Sequence, residues 1–69
     1  MLSANNLVAL AANGAGFALE AKMFHPDDLV RIASAGKAQL VIRESRRLGI
    51  EDMMRIAKAR PNLVFFEGL

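Results

Sequence analysis

The run Phe24-His25-Pro26-Asp27-Asp28-Leu29-Val30-Arg31-Ile32-Ala33-Ser34-Ala35-Gly36, continued by Lys37-Ala38-Gln39-Leu40-Val41-Ile42-Arg43, encodes one helix followed by one strand. Leu29, Ile32 and Ala33 fall at i, i+3 and i+4, the spacing of a single helix face. Pro26 has the backbone angle of a first helical turn, and Asp27 and Asp28 complement the positive end of the helix dipole. Gly36 stands where a left-handed residue often closes a helix. After a short link, Leu40-Val41-Ile42 has the length and β-branched content of a strand.

The same pattern occurs three times. Leu2–Gly14, Phe24–Gly36 and Leu48–Arg60 align, with starts 22 and then 24 residues apart. Leu7, Leu29 and Met53 correspond, as do Val8, Val30 and Met54, and Leu10, Ile32 and Ile56. The polar pair before each apolar face is Asn5-Asn6, then Asp27-Asp28, then Glu51-Asp52. Each helix precedes an apolar run: Phe17-Ala18-Leu19, Leu40-Val41-Ile42 and Leu63-Val64-Phe65-Phe66. Gly14 repeats the helix-closing glycine, and Pro61 stops the third helix. Asp27 with Arg31, and Glu51 with Arg55, form i,i+4 pairs in the favourable order. The 69 residues therefore read as one domain of three units, about 2–23, 24–47 and 48–69.

The predicted order is αβαβαβ. A strand, a helix and a strand in so short a span imply parallel neighbours joined by right-handed crossovers. That gives a three-stranded parallel sheet in order 1-2-3 with every helix on one face. Alternation turns Phe17, Leu19, Leu40, Ile42, Val64 and Phe66 toward the helices. The expected core is Leu7, Leu10, Leu29, Ile32, Leu40, Ile42, Met53, Ile56 and Phe66. Ala18, Val41 and Phe65 then form a row on the outer face beside an acid–base–acid row of Glu20, Arg43 and Glu67. This register needs one extra residue in the second helix–strand link, which Lys37-Ala38-Gln39 supplies. The architecture is similar to leucine-rich-repeat and other short α/β solenoids. The leucine-rich pattern of strand and Asn or Cys turn residues is missing, so no functional residue is carried over.

Composition narrows the function. The chain is 54% hydrophobic with a formal net charge of +2, a globular rather than disordered balance. It has no Cys, which excludes a disulfide or thiolate metal site and fits a reducing, cytoplasmic setting. Met1 to Leu19 carries no charge. A signal peptide needs a positive start, and a membrane span needs about 20 mostly apolar residues. Ser3, Asn5, Asn6, Asn13, Gly14 and Gly16 interrupt this run, so it reads as the first structural unit, with no membrane role expected.

The chemistry-bearing residues do not assemble into a catalytic pattern. His25 is the only His, and without Cys it cannot complete a nitrogen–sulfur ligand set, so it reads as a helix cap or packing residue. Ser3, Ser34 and Ser45 lack a nucleophile-elbow context. The acidic helix starts repel phosphate instead of cradling it. The expectation is no enzyme, no cofactor and no metal.

The leading functional expectation is a non-enzymatic protein-interaction module whose open sheet face binds a second copy of the chain, as a homodimer, or another protein. Its candidate interface residues are Val41, Leu63, Phe65 and Arg43. One alternative is a nucleic-acid-associated regulator using Arg43, Arg46 and Arg47, a cluster diluted by Glu44 and lacking interleaved aromatics. The other is a fragment of a longer repeat array, because arrays need capping units.

Overall fold

The computed structural model describes residues 2–69. Within them the chain runs α1 (Ala4–Ala12), β1 (Phe17–Glu20), α2 (Pro26–Ala35), β2 (Leu40–Arg43), α3 (Ile50–Ala59) and β3 (Val64–Phe66). The strands form one parallel sheet in order β1-β2-β3, as the repeat predicts. Phe17, Leu40 and Val64 stand in one row, Ala18, Val41 and Phe65 in the next, and Leu19, Ile42 and Phe66 in the third. Leu19, Leu40 and Ile42 are buried against the helices, whereas Ala18 and Phe65 are exposed on the other face. The molecule is 17 Å thick in its shortest dimension, the depth of one sheet and one helix layer.

Each helix start has its own solution. Ser3 Oγ accepts from the Asn6 amide at 3.2 Å while the Asn6 side chain accepts from the Ser3 amide, a reciprocal capping box that sequence reading missed. His25 caps α2: its Nδ1 accepts from the Asp27 amide at 3.1 Å, with Pro26 in the first helical position. The same nitrogen lies 3.6 Å from Asp27 Oδ2. Gly49 occupies the matching place before α3 and offers no side-chain cap.

The helix ends differ from the expectation at one glycine. Gly14 is left-handed, with φ of +94°. Gly36 is extended, with φ of −67° and ψ of 144°, because the chain leads straight into the link to β2. In the third unit Asn62 takes the left-handed place, at φ of 71°. Asn tolerates that region better than most residues. Gly16 is required for a different reason: a Cβ there would lie 2.9 Å from the Gln39 carbonyl oxygen, where β1 runs close beside the start of β2.

Two short 3-10 turns, Ala21–Met23 and Ser45–Arg47, connect strands to the following helices. Glu44, left-handed at φ of 56°, is an extra residue before the second turn. It lets Ser45 occupy the place of Ala21 despite the longer second unit. Ser45 is fully buried and its hydroxyl donates to the Ile42 carbonyl at 2.7 Å. Glu67 and Gly68 extend the third unit along this turn, with their carbonyls accepting from the Ser45 and Arg46 amides at 2.9 and 3.0 Å.

Leu29, Ile32, Ile42 and Ile56 are wholly buried, and α2, flanked on both sides, contributes two of them. Leu7 and Leu40 join the core as expected. Three expected core residues do not. Leu10 is 41% exposed, and Met53 and Phe66 are half-buried. All three lie in the outer units, each of which has only one neighbour to cover it.

Candidate protein interface

The uncovered sheet face brings the predicted interface residues together. Val41 and Phe65 are register partners on neighbouring strands. Phe65 is 48% exposed, while Val41 is half-buried in the middle of its row. Leu63, just before β3, is half-buried, and its carbonyl accepts from the Leu40 amide at 2.8 Å. Arg43 is exposed at the end of β2, its Nε 3.7 Å from Glu67 Oε1. The polar row thus closes on one side, from β2 to β3.

Two of the three arginines read as a nucleic-acid contact have a carboxylate close by. Arg43 is beside Glu67, and Arg46 pairs with Glu44 at 2.8 Å. Arg47 is exposed in the second 3-10 turn and forms no ion pair among the described residues. Local carboxylates therefore offset two of the three charges, and phosphate binding would have to displace them.

The strongest electrostatic pattern lies on the helix layer. Arg31 of α2 donates to the Asn5 side chain of α1 at 2.5 Å and to Asp28 at 3.1 Å. Arg55 of α3 repeats the arrangement, donating to Asp27 of α2 at 2.7 Å and to Asp52 at 3.3 Å. The expected i,i+4 pairs are replaced by i,i+3 pairs because each guanidinium turns to reach the preceding helix as well. The hydrogen bond from Arg55 holds the Asp27 carboxyl below the usual aspartate range, with desolvation opposing it and the Arg55 charge adding to it. The Arg55 guanidinium is correspondingly raised. A further tie runs from Arg60 Nη2 to the Ser34 carbonyl at 2.8 Å, near the end of α2.

Two apolar grooves that sequence reading missed open at the α1 end of the layer. One, of about 430 Å³, is lined by Leu2, Asn6, Ala9, Leu10 and Asn13. The other, of about 240 Å³, is lined mostly by apolar residues, among them Leu2, Leu7, Met23 and Phe24, with Glu20 at its side. The repeat alignment contained the signal: Leu10 matches two residues that are buried only because a preceding unit covers them. Among the described residues, no group of three or more His, Cys, Asp or Glu is placed to hold a metal ion. No described helix is long and apolar enough to cross a membrane. Comparison with protein-family models, curated proteins and solved structures finds no match.

Proposed function

We propose that this chain is a non-enzymatic interaction module that pairs with a second copy of itself through the uncovered face of its sheet. The observation that carries this reading is Phe65, 48% exposed in an apolar row on a parallel sheet with helices on one side only. Parallel sheets are ordinarily covered on both faces. A two-fold axis running along β2 sets Val41 against the partner's Val41 and Phe65 against the partner's Ala18, a large side chain facing a small one. Glu20, Arg43 and Glu67 then stay at the strand ends as a wet rim. Covering each Phe65 contributes roughly 1.5–3 kcal/mol before the entropy cost of association.

Sedimentation of the wild type and a Phe65→Lys variant tests this. The wild type is expected to associate more strongly than the variant, which loses the sheet-face contact and keeps every other surface. A wild type that stays monomeric at high concentration overturns the reading, and so does equal association of the two proteins.

A further inference from the structure

The three units are copies of one design, so each repeat position can be compared inside and at the ends of the stack. Ile32 and Ile56 are wholly buried, yet Leu10 in the same position of α1 is 41% exposed. Within the described residues no unit follows α3, yet Ile56 is covered, so this position is covered by the preceding unit. The converse holds one turn away. Val8 and Val30 are half-buried, while Met54 in the same position of α3 is 52% exposed. Within the described residues no unit precedes α1, yet Val8 is half-buried, so that position is covered by the following unit. The α1 end therefore presents the receiving side of a unit, the groove of Leu2, Ala9 and Leu10. The α3 end presents the donating side, with Met54 and with Ile50 at 66% exposure.

We infer that these two ends bind each other between copies of this chain, so that α3 of one molecule lies in the α1 groove of the next. The contact repeats the step that already relates α1 to α2 and α2 to α3. Extending that step also brings the free edge of β3 beside the free edge of β1 in the parallel sense of the sheet. The occupant is chosen by this continuity: the internal helix interfaces are built from the same repeat positions as the proposed junction. The contact is heterologous and does not close on itself, so it grows in one direction. It differs from the internal interfaces in one respect. Ala9 stands where Arg31 and Arg55 stand in the later units, and Glu51 stands where Asn5 and Asp27 accept their guanidinium. The junction thus lacks the charged rung and depends on apolar contact, which added salt does not weaken.

This surface is separate from the sheet face, so the test is made in the Phe65→Lys background. The reading above is judged by comparing wild type with Phe65→Lys. The junction is judged by two further substitutions within that background, Leu10→Lys and Met54→Lys. Analytical ultracentrifugation of Phe65→Lys alone is expected to show a mass that keeps rising with concentration. Each double variant alone is expected to lose association about tenfold or more. Mixed in equal amounts, they should recover a 1:1 heterodimer and nothing larger, because each keeps one intact end and the ends are complementary. Phe65→Lys that stays monomeric overturns the inference. So do double variants that associate like their parent, or a mixture that remains monomeric. If circular dichroism shows either lysine variant unfolded, Leu10→Asn and Met54→Gln in the same background carry the same test.

Discussion

Arg55 on α3 reaches back across the helix layer and donates a 2.7 Å hydrogen bond to Asp27 on α2. Arg31 makes the equivalent reach to Asn5, so neighbouring units are joined by the same side-chain geometry whether the acceptor is an amide or a carboxylate. Only the carboxylate version titrates.

Acid should therefore weaken the α2–α3 contact selectively. The Asp27 pKa in the folded protein is depressed below its unfolded value of about 3.9. A depressed folded pKa means that the bond contributes stability above the unfolded value and loses it as pH falls through the folded value. Thermal melts from about pH 6 down to pH 2.5 should show a steeper acid-side fall in Tm for the wild type than for Asp27→Asn. Parallel curves would mean that this pair does not couple to folding.

The matched positions 32 and 10 should give very different costs. Ile32→Ala removes a wholly buried side chain of the central helix and should lose about 2–5 kcal/mol. A domain of this length has only about 3–10 kcal/mol in total, so the variant will be partly or wholly unfolded. Leu10→Ala, at an exposed position, should lose under about 1 kcal/mol. Urea titrations of the two variants beside the wild type measure both values.

Helix α3 lacks the cap that its two predecessors have. Gly49 has φ of −72° and ψ of 158°, angles open to any L-residue, and a Cβ there meets nothing within 4 Å. Gly49→Ser should accept an amide hydrogen as Ser3 does and also restrict the unfolded chain. A gain of about 0.5–1 kcal/mol is expected, seen as a rise of several degrees in Tm. Gly16→Ala is the contrasting control, since its Cβ would press on the Gln39 carbonyl and should lower Tm.

Labelled DNA and RNA should show no submicromolar binding in anisotropy titrations at two salt concentrations. Arg43 and Arg46 are already beside Glu67 and Glu44, which leaves a weak phosphate site. Tight binding that falls steeply with salt would assign the second 3-10 turn and the end of β2 to nucleic acid.

Much of this fold was legible in the chain because its determinants are local and appear three times. Helical spacing at Leu29, Ile32 and Ala33, the strand run Leu40-Val41-Ile42 and the short crossovers leave few arrangements besides a parallel 1-2-3 sheet. Even the register of Val41 with Phe65 follows from alternation and repeat spacing. Tertiary structure decided what depends on neighbours. Leu10 and Ile32 are equivalent in the sequence pattern, yet one is exposed and the other buried, because burial is set by the unit alongside. The arginines left their expected i,i+4 partners because a carboxylate or amide on the preceding helix came within reach. Gly36 became extended because the route to β2 required it, while Glu44 took a left-handed turn so that Ser45 could stand in the place of Ala21. Periodicity determines which elements form and how they pair; only packing determines which copy of a repeated residue is covered and which is left exposed.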